Sequence, residues 1–558
     1  MTRRLAIVVA SWGLLAGAHA APAPGRATAP NPAAAAAPAA SDAEWSYRVT
    51  AGDTLIGLAN TYLKPGFSWQ QLQKLNGVAD PYKLPPGKAL RIPLAWLRGE
   101  STVAEAVFVR GDVQVQRGGT GAAEALAVGA TLQPGDLVRT GAQSSLTLKF
   151  ADSSRLLLVP DSQVRVERLL VFGNTGLTDT RLKLEKGGAD SQVQPGKQVP
   201  GYRIETPAVN LGVRGTEFRV RLTGDTSSSF EVLQGSVGGA GTVGAEVAVA
   251  AGYGATAVAG APMSAPQALL PAPSLASLAP KLERVPFTPA WSALPGAVAY
   301  RAQVYAEGAP DQLLLDGRFT TPQAKWADLP DGRYQLRVRA VDAQGLEGRH
   351  ADAAFVLKAR PEPPFSVKPA VGAKVYGTEV ELGWTQSAAA ARYHLQVSAT
   401  PDFTQTATDL IDIKEPLAKL DLPHGSYHWR VASVTASGDH GPWGDPQGFT
   451  LRPVPPSPPA EPPQVNDKAL VFRWRVSEGA SYQVQIARDA QFKDLVQDKT
   501  TRDASIELAS PQPGTYHMRV RTIDPDGFAG AYGGTQSVEV PRSRWWLFLP
   551  MLLPLLLF

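Results

Sequence analysis

The sequence contains no cysteine. That absence excludes disulfides, thiolate metal centres and a lipid-modified N-terminal cysteine, and with them cysteine peptidases and L,D-transpeptidases. Charge of one sign is also lacking: 54 Lys+Arg stand against 50 Asp+Glu, a formal net charge of +4. Such a balance carries no electrostatic footprint for nucleic acid. Histidine is scarce at seven residues. Apart from His19, all of them (His350, His394, His424, His428, His440 and His517) fall in the C-terminal half. Only His424 and His428 have a helix-like ligand spacing, and they flank Gly425-Ser426-Tyr427 at the start of a strand, where four residues do not bring side chains together. The expectation is no metal and no cofactor. Neither the apolar run from Leu5 to Ala16 nor the fourteen uncharged residues after Arg544 reaches the roughly twenty residues of a membrane-spanning helix.

What is abundant is glycine and proline, 53 and 48 residues in a chain of 558, far longer than one core supports. Arg3 and Arg4, an apolar run from Leu5 to Ala16 and the small-x-small set Ala18-His19-Ala20 read as a signal peptide over 1–20. Its removal takes two arginines and no acid, lowering the charge from +4 to +2. Residues 21–44 follow as an Ala/Pro-rich linker; 16 of the 20 positions from 21 to 40 are Ala or Pro. Pro-rich breaks at 258–283, 359–364 and 453–463 divide the remainder into modules on a stalk. The tail, 542–558, ends RSRWWLFLPMLLPLLLF, uncharged after Arg544. Trp545 and Trp546 beside Arg542 and Arg544 suit a membrane interface, so a membrane contact through residues 545–558 is expected.

Beyond residue 283 the sequence repeats itself. Trp291, Trp384 and Trp474 recur, each followed by a tyrosine opening an alternating strand (Tyr300, Tyr393, Tyr482), then by Tyr334, Tyr427 and Tyr516 in Gly-x-Tyr strands. Short alternating strands broken by turns predict three β-sandwiches, over 284–358, 365–452 and 464–541. The pattern resembles fibronectin type III modules, which implies a fold rather than an activity. In that reading the three tryptophans and Tyr334, Tyr427 and Tyr516 are core residues.

Residues 45–98 predict a β-α-α-β module. Tyr47 and Val49 give a strand, Gly52-Asp53 a turn, and Leu55, Leu58, Ala59 and Tyr62 one helix face; Ser68 with Gln71 caps a second helix that Asn76-Gly77 ends. Gly52-Asp53-Thr54-Leu55, Trp69-x-x-Leu72-x-x-Leu75-Asn76-Gly77-Val78 and Leu84-x-Pro86-Gly87-x-x-Leu90-x-Ile92-Pro93 closely resemble the LysM domain. The resemblance implies binding of N-acetylglucosamine-containing glycan, chiefly peptidoglycan. It places the groove between Gly52, Asp53, Thr54 and Leu55 on one wall and Asn76, Gly77 and Val78 on the other.

From 105 to 257 short strands alternate with Gly-Asp and Asp-Ser turns. Pro134-Gly135-Asp136-Leu137-Val138-Arg139-Thr140-Gly141 and Val213-Arg214-Gly215-Thr216-Glu217-Phe218 resemble the FecR domain of cell-surface signalling proteins, implying an all-β, solenoid-like periplasmic domain. Alternation places Arg214, Thr216, Phe218, Val220 and Leu222 on the core face, and Glu217, Arg219 and Arg221 on the other. Arg214 and Thr216 are expected to be structural, Arg214 bridging strands by charge-assisted bonds. Gly239-Ala240-Gly241-Thr242-Val243-Gly244 matches GxGxxG but opens no helix.

The chain is thus expected to be multidomain and mainly β. It reads as a non-enzymatic, exported protein of the bacterial periplasm or envelope that binds peptidoglycan and presents its β domains to an envelope protein partner. A signalling component related to FecR sigma-factor regulators is the alternative, and a glycan hydrolase the third reading.

Overall fold

The computed structural model describes residues 44–195, 201–213, 215–466 and 468–542. The expected signal peptide, nearly all of the Ala/Pro-rich linker, Arg214 and the apolar tail from 543 onward lie outside the described residues. The described chain divides into two compact units. One comprises the described part of Met1–Leu278 with Pro289–Ala324 and Tyr334–Ala354; the other comprises Ala279–Thr288, Lys325–Arg333 and the described part of Phe355–Phe558.

The first unit opens with the small module. Glu44–Arg48 pairs antiparallel with Ala89–Pro93, and the helices Leu55–Tyr62 and Trp69–Asn76 lie between them in sequence. Each boundary has a local cause. Thr54 Oγ1 accepts Gly57 N–H at 3.0 Å, Ser68 N–H donates to Gln71 Oε1 at 2.8 Å, and Gly77 ends the second helix at φ 58°, where a side chain is disfavoured. Leu55, Leu72, Leu90 and Ile92 are fully buried. Their core extends to Phe172 and Leu177, from the turn between Gln163–Val171 and Thr178–Lys186 in the next domain. The module is therefore seated on its neighbour and not strung on a stalk, because these two apolar side chains complete its core.

The next domain is two sheets, of nine and ten strands, closed over one apolar core. The chain crosses back and forth between the sheets while advancing in one direction, so strands close in sequence are close in space. Glu217–Leu222 lies in the nine-stranded sheet between Gly188–Gln192 and Ser227–Gln234. Phe218 and Val220 point into the core, fully buried, as alternation requires. Arg219 and Arg221, on the other face, are nonetheless only 1% and 8% exposed.

The cause is the first repeat. Its strands Ala299–Ala306 and Gly332–Val341 pair with Arg301 opposite Arg339 and Gln303 opposite Arg337, and their outer face covers the arginine-bearing face of the sheet. Four arginines (Arg219, Arg221, Arg301, Arg339) meet four carboxylates (Asp190, Glu231, Asp316, Glu347) there. Arg339 Nε lies 2.5 Å from Glu347 Oε2, Arg221 Nε 3.5 Å from Glu347 Oε1, and Arg339 Nη2 3.6 Å from Asp190 Oδ2. Arg219 Nη2 donates to the Glu347 and Gly348 carbonyls at 3.1 and 2.8 Å, and Glu347 N–H donates to Glu231 Oε1 at 3.1 Å. Leu157, Val159, Tyr305 and Leu313 form an apolar cluster of their own across the same contact. Segment 258–283, expected to be a free linker, is drawn into the structure: Gln267–Ala268 pairs with Tyr253–Gly254.

In the second unit each later repeat is a two-sheet sandwich. In repeat 2, Ser366–Lys368, Glu379–Trp384 and Leu417–Asp421 form one sheet; Arg392–Ser398, Thr406–Ile413, Gly425–Val434 and Gln447–Arg452 belong to the other. The recurring aromatics explain themselves. Trp384 packs edge-on to Tyr393 with centroids 5.5 Å apart, and Trp474 against Tyr482 at 5.8 Å; in the first unit Trp291 and Tyr300 do the same at 5.6 Å. The tyrosine hydroxyls fasten loops: Tyr393 accepts Ser387 N–H at 3.0 Å, while Tyr427 donates to the Pro423 carbonyl at 2.8 Å and Tyr516 to Gln512 at 3.0 Å. The Pro-rich stretch 453–463, expected to be a linker, ends as an edge strand, Ala460–Val465, paired with Ala469–Trp474. An edge position is where proline's missing N–H costs no ladder bond.

Burial raises the Glu231 carboxyl from 4.5 to about 7, against the pull of Arg219. Burial also opposes ionisation of Glu347, but Arg339, Arg221, Arg301 and Arg219 hold it well below the usual range. An acid with a raised folded value keeps its proton in the fold after the unfolded chain has released it. Its contribution to stability therefore falls as pH rises from about 4.5 to about 7. Glu231→Gln should accordingly gain melting temperature relative to the parent on going from about pH 5 to about pH 7.5, read by calorimetry. Arg339→Met leaves Glu347 and Asp190 short of a partner and should cost about 3–5 kcal/mol in denaturant unfolding of this unit.

Candidate functional site

The two loops expected to form a groove are held together by backbone. Leu55 N–H, at the start of the first helix, donates to the Pro81 carbonyl at 2.9 Å. Leu55 and Val78 are buried in the module's core, at 0% and 7% exposure. Gly52 and Gly77 have φ of 94° and 58°, which suits glycine, and a Cβ on either would meet nothing within 4 Å. The space above both loops is open.

The polar side chains assigned to the walls are spent on the fold. The Asp53 carboxylate accepts from Tyr47 Oη at 2.7 Å, Thr50 N at 2.6 Å and Thr50 Oγ1 at 2.9 Å. Burial works against its charge, yet these bonds hold it below the ordinary carboxylate range. Thr54 caps the first helix. Asn76 pins the second helix to the returning strand: Nδ2 donates to the Leu72 and Arg91 carbonyls at 3.0 and 2.8 Å, and Oδ1 accepts Arg91 N–H at 2.6 Å. These three side chains are therefore engaged within the module itself.

One residue that the sequence reading did not name stands beside the bond that joins the loops. Tyr82 is 65% exposed, with its N–H on Asp80 Oδ1 at 2.9 Å. Its only signal in the sequence is an aromatic among Asp, Pro and Lys in a turn. Of the other assigned residues, Thr216 is 2% exposed and its carbonyl accepts Val193 N–H at 2.8 Å. Trp291, Trp384, Trp474, Tyr334, Tyr427 and Tyr516 are all buried in sandwich cores.

Residues 47–93 match the LysM domain, and residues 136–238 the FecR protein family. Both are non-catalytic families, typical of bacterial envelope proteins. Among solved structures, the chain is similar to the chicken CNTN1 FN1-FN3 domains at 15% identity, covering 49% of this chain and 100% of that one with a TM-score of 0.24. It is also similar to the fibronectin(III)-like modules of Clostridium thermocellum CbhA at 13% identity, covering 33% and 96%, TM-score 0.22. A putative anti-sigma factor from Parabacteroides distasonis matches at 13% identity over 24% of this chain and 59% of that one, TM-score 0.20. Among the described residues no helix is long and apolar enough to cross a membrane.

The LysM assignment makes the Asn76 clamp testable as structure. Asn76→Ala removes the bonds to the Arg91 N–H and carbonyl, a loss of about 0.5–1.5 kcal/mol. Amide exchange at Arg91 should accelerate about tenfold or more, measured by mass spectrometry on the whole chain.

Proposed function

We propose that this protein is a non-enzymatic envelope component that holds peptidoglycan in the LysM groove and presents its FecR and sandwich domains to a protein partner. The observation that carries the reading is the backbone bond between Leu55 and Pro81, which sets two loops side by side over open space. An N-acetyl sugar needs backbone donors and acceptors, a small apolar floor and a face to lie against. The loop backbone supplies the first and the exposed Tyr82 the last. Asp53, Thr54 and Asn76 act by fixing the loops.

The seating of the LysM core on Phe172 and Leu177 and the ionic contact of the FecR domain with repeat 1 support joint presentation of these three domains of the first unit. A second reading, favoured by the FecR match, is a signalling component related to sigma-factor regulators. It would use the same groove to report wall state.

Co-sedimentation with purified peptidoglycan tests the first reading. The chain without residues 1–20 should be retained, and Tyr82→Ala, which alters an exposed side chain, should weaken retention roughly tenfold, equivalent to about 1.4 kcal/mol, with an unchanged melting temperature. Absence of retention by the parent chain would remove the function, and equal retention of the variant would remove Tyr82 from the site.

A further inference from the structure

Positive charge is concentrated at one place in this chain. Over residues 44–98 seven Lys+Arg stand against three Asp+Glu, so the LysM module carries the same formal net charge, +4, as all 558 residues together. The balance of the whole sequence conceals this asymmetry. Elsewhere basic side chains are matched with acids: Arg117 with Asp136 at 2.8 Å, Arg165 with Glu185 at 2.9 Å and Arg337 with Asp352 at 2.8 Å. In the module the one ion pair among the described residues is Arg91 with Glu44, at 3.8 Å. Arg48, Lys74, Lys83 and Lys88 are exposed and paired with no acid among the described residues.

These four cations stand at the roots of the two loops. Val49 N–H donates to the Lys88 carbonyl at 2.9 Å and Gly87 N–H to the Val49 carbonyl at 2.8 Å, which ties Lys88 to the chain entering Gly52-Asp53. Arg48 lies in the strand before it, paired with Ala89. Lys83 follows Tyr82 in the second loop, its N–H on the Asp80 carbonyl at 3.3 Å. Lys74 is in the last turn of Trp69–Asn76, the helix that leads into Gly77. The acids nearby are engaged within the module, Asp53 by Tyr47 and Thr50 and Asp80 by the Tyr82 N–H.

We propose that the LysM module recognises carboxylate as well as sugar: its ligand is a glycan carrying anionic peptide stems, and Lys83 and Lys88 distinguish it from a neutral N-acetylglucosamine chain. This specificity rests on the glycan reading above and adds to it the form of wall preferred. Peptide stems of peptidoglycan bear free carboxylates, whereas a chitin oligomer of the same sugar bears none. Lysine suits the task, because a compact ammonium on a flexible stem can follow carboxylates borne on mobile peptides. Each exposed pair contributes little, but several cations facing one polyanion raise its local concentration and its rate of encounter.

The test measures binding of the whole chain lacking residues 1–20 to purified peptidoglycan, to the same material with its carboxyl groups amidated, and to a chitin hexamer. Walls are assayed by co-sedimentation and the hexamer by calorimetry, at ionic strengths of about 0.01 M and about 1 M, between which the screening length falls from about 30 Å to about 3 Å. At low salt the parent should bind native wall about tenfold more tightly than amidated wall, and at high salt the preference should vanish. Lys83→Gln/Lys88→Gln should bind native wall about fivefold more weakly than the parent, and amidated wall and chitin as the parent does. Lys499→Gln/Arg502→Gln, an equal change of charge at exposed residues of repeat 3, should alter none of the three. Equal binding of native and amidated wall by the parent, or a Lys83→Gln/Lys88→Gln variant that keeps the parent's preference, would overturn carboxylate recognition while sugar binding stands. Failure of the parent to bind any probe would remove the groove and this specificity together, whereas retention on native wall alone would uphold carboxylate recognition and remove the sugar groove. Melting temperatures within about 2 °C of the parent establish that the variants are folded.

Discussion

The contact between the FecR sheet and the first repeat depends on one group, the Glu347 carboxylate. It lies where Arg219, Arg221, Arg301 and Arg339 converge, and its own N–H reaches Glu231. Each face brings two arginines and two acids, and neither could be buried against an apolar surface without stranding charges. Burying these ionisable groups has a large desolvation cost that mutual attraction roughly repays. The cluster is therefore better understood as fixing register than as adding stability, while the adjoining Leu157, Val159, Tyr305 and Leu313 supply the apolar gain.

That contact changes what the repeats are for. In repeat 1 the outer face of the sheet is consumed by the FecR domain, whereas in repeat 2 the equivalent face carries Ala432 for arginine and His394 where repeat 1 has Arg301. The sandwiches share a core of tryptophan against tyrosine and differ on their outer faces. Selection for a common fold and divergence of exposed chemistry are thereby separated by the two-residue period of a strand.

In the LysM segment, the polar side chains of the family pattern are engaged within the fold, and the exposed Tyr82 lies outside that pattern. Asp53, Thr54 and Asn76 were legible because helix ends and turns need capping side chains, and capping is what their bonds show. Tyr82 was not legible, because no local rule calls for an aromatic at that turn; only exposure beside the Leu55–Pro81 bond singles it out.

Local physics written in the sequence determined the mainly β class, the β-α-α-β order, the two helix starts and the three-fold recurrence of Trp and Tyr. Period-two alternation, capping and turn chemistry act over a few residues, and so can be read one segment at a time. Alternation also placed Phe218 and Val220 inward and Arg219 and Arg221 outward, correctly. Only the tertiary structure decided that the outward face would be covered, that Phe172 and Leu177 would complete the LysM core, that Pro-rich segments would pair at sheet edges, and that His394 would meet His440. Each of these joins residues distant in sequence, and no local preference encodes which surface a satisfied strand face will next find.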